Sequence, residues 1–211
     1  DLDGRTSKQI DGNGNATTYV YGDEASGLNN LLVKIVYPTF SKEFKYDNRD
    51  RVTQMIDVLD LATRYTVAAA YDAKGDLSTI TDQENKTTAN TYDALGRLKT
   101  VTDPATGVTE YTYDNRNNLV ALKDPKNQTH RFAYDRLNRK LTEVRPLGQT
   151  ITNTYTPTGQ INTVTDPKDQ VKKYSYDDAG RAIGETHYLT ASDVASNNPT
   201  RTVTYSFNDL N

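Results

Sequence analysis

The side chains of this 211-residue chain best placed to do chemistry are its carboxylates, and they recur with great regularity. Asp follows Tyr at Tyr46-Asp47, Tyr71-Asp72, Tyr92-Asp93, Tyr113-Asp114, Tyr134-Asp135 and Tyr176-Asp177, while Asp103, Asp124 and Asp166 each precede Pro. Clustered carboxylates could serve acid–base catalysis or hold a calcium ion. Asp11-Gly12-Asn13-Gly14-Asn15 has the oxygen spacing of a calcium loop, but it lacks the closing Glu and the flanking helices. Turn chemistry accounts for these Asp residues without a ligand, because Asp at the first place of a turn accepts hydrogen bonds from its own backbone. His130 and His187 are not spaced as a ligand pair, and the chain has no Cys. Arg5, Arg51, Arg97, Arg139 and Arg181 recur just after the turns. They could bind anionic glycans, but such an Arg more often covers a neighbouring ring or pairs with a turn Asp. No GxSxG, phosphate-binding loop or nucleophile–base motif is present. The reading is therefore a chain with no catalytic, cofactor or metal residue, and no enzyme.

The elements that position these residues are set by a period. From Tyr71 to Tyr176 the Tyr slot returns every 21 residues, with Tyr155-Thr156 filling one slot. The steps from Tyr21 to Tyr46 and from Tyr46 to Tyr71 are 25 residues, and that from Tyr176 to Phe207 is 31. Tyr21-Gly22 and Phe207-Asn208 are degenerate outer copies, and the opening DLDGR aligns with Asp93 to Arg97. A fixed period of this size marks a repeat architecture, which takes precedence over any single motif. Residues 1–211 read as one array that begins and ends inside repeats, hence as a stretch of a longer protein.

One repeat, Tyr92 to Tyr113, shows the plan. The fourth place after each Tyr is Gly4, Asp50, Gly75, Gly96, Asn117, Asn138, Gly159 or Gly180. Only Gly, Asn and Asp occur there, the residues that enter positive φ at least cost, as a type I turn with a following bulge requires. Arg97 to Thr102 then reads as a strand of about six residues, rich in Thr and Val. Asp103-Pro104 turns the chain, since Pro presets φ and cannot sit in a central ladder. Val108 to Tyr113 returns as a second strand, with Tyr111 and Tyr113 on one face. The expected fold is all-β: tandem 21-residue hairpins in a continuous antiparallel sheet, curved or spiralling, with no helix beyond a short turn.

The structural repeat residues are thus Tyr46, Asp47, Tyr71, Asp72, Gly75, Tyr92, Asp93, Gly96, Arg97, Tyr113, Asp114, Tyr134, Asp135, Tyr155, Gly159, Tyr176, Asp177, Gly180 and Arg181. Fifteen of the nineteen aromatic residues fall in the Tyr slot or two places before it, which predicts rows of rings on one face of the sheet. Three insertions keep the frame: near Glu24 to Asn29, between Asp57 and Ala68, and within Leu189 to Thr200. The last is polar and reads as a surface loop.

Composition narrows the function classes. Only 35% of residues are hydrophobic, which suits a thin sheet rather than a thick core. A net charge of −3 gives no electrostatic footprint for nucleic acid. No apolar run reaches membrane-spanning length.

These motifs resemble the YD repeats of the Rhs family, whose pattern Tyr-x-Tyr-Asp-x-x-Gly-Arg-Leu is met at Tyr92 to Leu98, apart from Asn90 at the first Tyr place. It is partly met at Tyr111 to Leu119 and at Tyr174 to Arg181, and the resemblance spans nearly the whole chain. Related repeats occur in bacterial Rhs toxins, wall-associated proteins, components of insecticidal toxin complexes and animal teneurins. The resemblance implies a β-sheet ribbon spiralling into a hollow shell that, in the toxins, encloses a C-terminal toxic domain. The family's self-cleaving core segment has no counterpart here, so self-cleavage is not carried over. The implied partners are flanking repeats and an enclosed C-terminal domain of the parent, reaching the cell surface or exterior with it. The alternative is an extracellular module that recognises a glycan or a partner protein through its Tyr rows or long loops. Neither reading involves nucleic acid or membrane insertion.

Overall fold

The computed structural model describes residues 4–23, 26–28, 30–60 and 62–206. Two of the expected features, the opening Asp1 to Asp3 and the last slot at Phe207-Asn208, lie outside the described residues, as do Glu24, Ala25 and Asn29 of the first insertion. The chain is all-β, with eighteen strands and one five-residue helix among the described residues. It divides into two compact units, Asp1–Val108 and Thr109–Asn211.

In the first unit the strands are β1 (Lys8–Ile10), β2 (Ala16–Tyr21), β3 (Leu32–Val36), β4 (Ser41–Tyr46), β5 (Val52–Val58), β6 (Arg64–Tyr71), β7 (Leu77–Thr81), β8 (Thr87–Tyr92) and β9 (Leu98–Thr102). Each pairs antiparallel with the next along the chain. The second unit repeats this meander with β10 (Val108–Tyr113), β11 (Leu119–Lys123), β12 (Thr129–Tyr134), β13 (Lys140–Val144), β14 (Thr150–Tyr155), β15 (Ile161–Thr165), β16 (Val171–Tyr176), β17 (Ala182–Tyr188) and β18 (Arg201–Thr204). Two strands per 21-residue repeat is the expected count. The first strand of a repeat begins one residue later than read, at Leu98 rather than Arg97. The reason is that the Arg97 carbonyl closes the turn by accepting from Asp93 N.

Both turns of a repeat have the same build. At Tyr92-Asp93, Asp93 N donates to Arg97 O and Gly96 N to Asp93 O. At Asp103-Pro104, Asp103 N donates to Gly107 O and Thr106 N to Asp103 O. The fourth places expected to be left-handed are so: Asp50 has φ 60°, Gly75 106°, Gly96 78°, Asn117 67°, Asn138 61°, Gly159 97° and Gly180 79°. The same demand holds at the opposite turns of the repeats, where Asn85, Thr106, Asn127, Gly148 and Asp169 are left-handed as well. Thr106, at φ 68°, is the costly one, because a β-branched residue resists this region. The two ends of a repeat differ just past the turn. After each Tyr turn the ladder skips a residue, as where Tyr92 faces Leu98 but Thr91 faces Thr100, leaving Lys99 as a β-bulge. The Asp-Pro turns carry no such shift.

The insertions act as follows. Asn30 holds the left-handed place, φ 68°, and β3 continues from Leu32 as expected. The second insertion lengthens β5 and β6 to seven and eight residues, against five and six for β7 and β8. The third is not a plain loop, which corrects the sequence reading. It holds a short helix, α1 (Ala191–Ala195), capped by Thr190 and Asp193 in a reciprocal capping box. The polar run of Thr, Ser and Asp that signals a loop is also what caps a helix start. The helix follows directly on β17, and none of its residues is buried.

Little is deeply buried. Ile56, Val171 and Tyr188 are the buried apolar residues among those described, and no side chain there is completely enclosed. Each unit therefore stands on strand pairing and side chains lying flat on their neighbours, rather than on a second layer.

Candidate functional site

The registers separate two faces of different chemistry. On β8 the slot residues Asn90 and Tyr92 share one face, and Ala89 and Thr91 the other. The ladder carries this across strands. In the first unit Thr79, Thr81, Thr87, Thr91, Thr100 and Thr102 lie on the face away from the slot tyrosines. In the second unit Thr142, Thr150, Thr152, Thr154, Thr163 and Thr165 do the same. Threonine pairs bond across it: Thr91 with Thr100 at 2.6 Å, Thr154 with Thr163 at 2.7 Å and Thr81 with Thr87 at 2.8 Å.

On the other face the slot rings recur from strand to strand. Their cross-strand partners are mainly aliphatic or acidic: Tyr111 faces Leu122, Phe132 faces Glu143, Tyr174 faces Glu185 and Phe44 faces Met55. Five slot tyrosines instead reach across to the preceding strand. The hydroxyl donates to the backbone carbonyl at the start of that strand: Tyr46 to Leu32 at 2.6 Å, Tyr71 to Val52 at 2.9 Å, Tyr92 to Leu77 at 2.9 Å, Tyr155 to Lys140 at 2.8 Å and Tyr176 to Ile161 at 2.8 Å. Where the first aromatic of the pair is replaced, Asn shares the task. Asn90 Nδ2 donates to the Leu77 carbonyl at 3.1 Å, and Asn153 Nδ2 to the Lys140 carbonyl at 3.0 Å.

The Arg column does both of the things expected of it in the absence of a ligand. Arg51, Arg97, Arg139 and Arg181 pair with Asp47, Asp93, Asp135 and Asp177 of their own turns at 2.6–2.8 Å. The guanidinium of Arg51 also lies over the Tyr71 ring at 4.2 Å, that of Arg139 over Tyr155 at 4.4 Å and that of Arg5 over Tyr21 at 4.5 Å. In other copies the place is taken by amides. Asn118 Nδ2 donates to Asp114 at 3.0 Å, and Gln160 bonds with Thr156 beside Gly159.

The Asp residues are turn residues. Asp93 Oδ1 accepts from Leu95 N and Arg97 N, Asp103 Oδ1 from Ala105 N and Gly107 N, and Asp72 Oδ1 from Lys74, Gly75 and Asp76 N. Asp11 does the same for Asn13 and Asn15, so this calcium-like loop is a turn of the repeat. The Arg51 guanidinium, bonded to Asp47, holds that carboxyl at about 2. Asp93 is lowered by Arg97 in the same way, Asp114 by the Asn118 amide, Asp72 chiefly by the Asp76 N–H, and Asp177 by the Arg181 N–H and guanidinium. These carboxylates are firmly ionised, the opposite of what a general acid needs. Gly180 completes the last of these turns, beside Asp177 and Tyr176. Tyr134 and Tyr113 sit across from Lys140 and Leu119 at their bulges. His187 bonds Glu185 at 2.9 Å, and among the described residues no three His, Asp or Glu side chains gather as a metal site. No helix there is long and apolar enough to cross a membrane.

Against known proteins, the RHS Repeat family model matches residues 71–108 and 92–129. No curated protein is significantly similar in sequence. Among solved structures, a crystal structure described as TcdB2-TccC3-TEV superposes with a TM-score of 0.77 at 14% identity over 99% of this chain, and one of TcdB2-TccC3 with 0.67 at 16% over 99%. A Photorhabdus luminescens Tc holotoxin pore superposes with 0.57 at 14% over 97%. At such identities the likeness is one of fold. This chain spans only 12%, 14% and 15% of the length of those chains.

Proposed function

Because the chain belongs to the YD/Rhs repeat family, we propose that residues 1–211 are one stretch of a shell wall that acts by enclosing, with no chemistry of its own. The observation that carries this reading is that every strand of a unit pairs with the next in the same way, and that one clamp recurs along the ladder. The Tyr that ends one strand lies under the Arg that precedes its neighbour and bonds to that neighbour's backbone, as at Arg51–Tyr71–Val52. Strands joined in this way can continue through flanking repeats, so a wall extends sideways without a thick core. The sparse burial supports the same reading, since a single sheet leaves both faces open to water, cargo or the exterior. The structural repeat residues, from Tyr46 and Asp47 to Gly180 and Arg181, build this wall. Its partners are the flanking repeats of the parent and a C-terminal domain that the wall encloses. The parent carries it out of the cell or to the cell surface.

The test is limited proteolysis of the parent protein, intact and with its repeats nicked. Enclosure predicts that the domain C-terminal to the repeats resists protease only while the repeats are intact. Equal cleavage in both states would refute it.

A further inference from the structure

Among the described residues, six turns opposite the Tyr-Asp turns share one backbone build, and five of them are headed by Asp: Asp11, Asp82, Asp103, Asp124 and Asp166. Each of these places one carboxylate oxygen in the mouth of its turn. There the oxygen accepts from the backbone N–H groups two and four places on, at 2.8–2.9 Å, as Asp124 does from Lys126 N and Gln128 N. Such a pair of N–H groups is a small nest for an anion, and in these five turns the chain fills it with its own side chain.

The sixth turn, between β13 and β14, reverses the charge. Its backbone is the same: Arg145 N donates to Gln149 O and Gly148 N to Arg145 O, both at 2.8 Å, and Gly148 is left-handed at φ 79°. Arg145 stands where the others carry Asp, and a guanidinium has no acceptor to offer. The N–H groups of Leu147 and Gln149 therefore meet no acceptor among the described residues. A residue that breaks the repeat's pattern without serving its packing is where function is to be sought.

Two guanidinium groups border this nest. Arg145 heads the turn, and Arg131 of β12 stands across the ladder, opposite Val144. Arg131 has no ion-pair partner among the described residues. Arg145 keeps only a long contact with Glu143, at 3.5 Å, and Glu143 already holds Lys140 at 2.9 Å. The two arginines line a hollow of about 410 Å³ together with Val144, Pro146 and Leu147, and no carboxylate lines it. Its size falls in the range of small-ligand sites, roughly 300–1,000 Å³. Leu147, at 86% of its full exposure, is the most open large apolar side chain described. A reversed charge alone would be a solvated surface change, but here the bare N–H pair and the second guanidinium ask for the same partner.

We propose that the turn at Arg145 is a binding site for a carboxylate that carries an apolar body. One carboxylate oxygen accepts from Leu147 N and Gln149 N, as an Asp oxygen does in the sister turns. The other pairs with Arg131 and Arg145, whose planar guanidinium groups match a two-oxygen anion. The apolar body lies against Val144, Pro146 and Leu147. The sister turns favour a carboxylate over a phosphate, because a carboxylate is what this backbone already holds. A small organic acid and an acidic side chain of a protein segment present the same group, and the experiment separates them. This goes beyond the role of a wall, and enclosure can hold or fail independently of it.

The experiment is two-dimensional amide NMR of the 211-residue chain, titrated with hexanoate, a blocked Leu-Glu-Leu tripeptide, inorganic phosphate or hexanol. The amide protons of Leu147 and Gln149 should move downfield with at least one of the two carboxylates. A response to hexanoate alone identifies a small free acid, and a response to the tripeptide alone an acidic protein segment. The amides of Lys168 and Gln170, whose nest Asp166 fills, should stay in place. Arg131→Gln should weaken binding about tenfold or more. Arg145→Asp supplies the anion from within the turn, as in the five sisters, so it should abolish binding with the fold intact. The proposal fails if neither carboxylate moves Leu147 and Gln149, if phosphate moves them and the carboxylates do not, or if hexanol moves them as far as hexanoate. It also fails if the Arg145→Asp variant binds as well as the parent sequence.

Discussion

The guanidinium of Arg51 lies 4.2 Å from the centre of the Tyr71 ring, which ends the neighbouring strand β6. The same guanidinium is held by Asp47 at 2.6 Å, and the Tyr71 hydroxyl donates to the Val52 carbonyl at 2.9 Å. The ring is thus gripped on its face and at its tip by one neighbour. Asp135, Arg139, Tyr155 and Lys140 repeat the arrangement in the second unit. Asp and Arg act within one turn, and Tyr acts between neighbouring strands.

This grip should be measurable as coupling. In a double-mutant cycle of Arg139→Ala and Tyr155→Ala, the interaction energy should be about 0.5–1 kcal/mol, as for a partly exposed cation–π pair. Tyr155→Phe keeps the ring and loses only the bond to the Lys140 carbonyl, which should cost about 1 kcal/mol. Urea denaturation of the four proteins and of Tyr155→Phe checks both values.

Acid should loosen the turns. Asp47 sits at about 2 when folded, against an ordinary 3.8, and Asp72, Asp93, Asp114 and Asp177 are shifted the same way. A carboxyl with a lowered folded value takes up protons more readily when unfolded, so it stabilises fully above about pH 4 and loses this as pH falls toward 2. Melting temperature should be flat from pH 7 to 5 and fall between pH 4 and 2. In Asp47→Asn the fall should be smaller. A decline that starts well above pH 5 would assign the effect to other groups.

Backbone strain gives opposite signs at two turns. Thr106 holds φ 68°, so Thr106→Asn should stabilise by about 0.5–1 kcal/mol. Gly96, at φ 78°, should not accept a β-branched side chain, and Gly96→Val should cost about 1 kcal/mol or more. Thermal melts of the two variants should move in opposite directions from the parent.

Trimming the third insertion should not leave stability unchanged, although its composition reads as a free loop. Tyr188 is buried at its root and its hydroxyl bonds Asn197 at 3.4 Å, while Thr200 N and Oγ1 donate to the His187 carbonyl. Replacing residues 191–198 with a short Gly-Ser linker should keep β17 and β18 paired but cost about 1–2 kcal/mol as Tyr188 is uncovered. Urea denaturation of the two forms reads this directly.

The features visible in the chain alone are local. The period, the two strands per repeat and the left-handed places at Gly75, Gly96, Asn117 and Gly159 are demands of a few consecutive residues on their own backbone. Only Gly, Asn and Asp meet them cheaply, so they are visible in one chain. The Asp residues were legible as turn residues for the same reason, since their bonds close within four positions. The features that came only with the fold depend on register. The left-handed turn residues announce a bulge after each Tyr turn, but the carbonyl that a Tyr hydroxyl meets and the ring that an Arg covers lie on a neighbouring strand and follow only from the register. The polar run after Leu189 could spell loop or helix cap, and the reciprocal bonds of Thr190 and Asp193 make it a cap. Arg131 and Arg145 are apart in sequence. They line one hollow because the pairing of β12 with β13 sets Arg131 opposite Val144, the residue before Arg145.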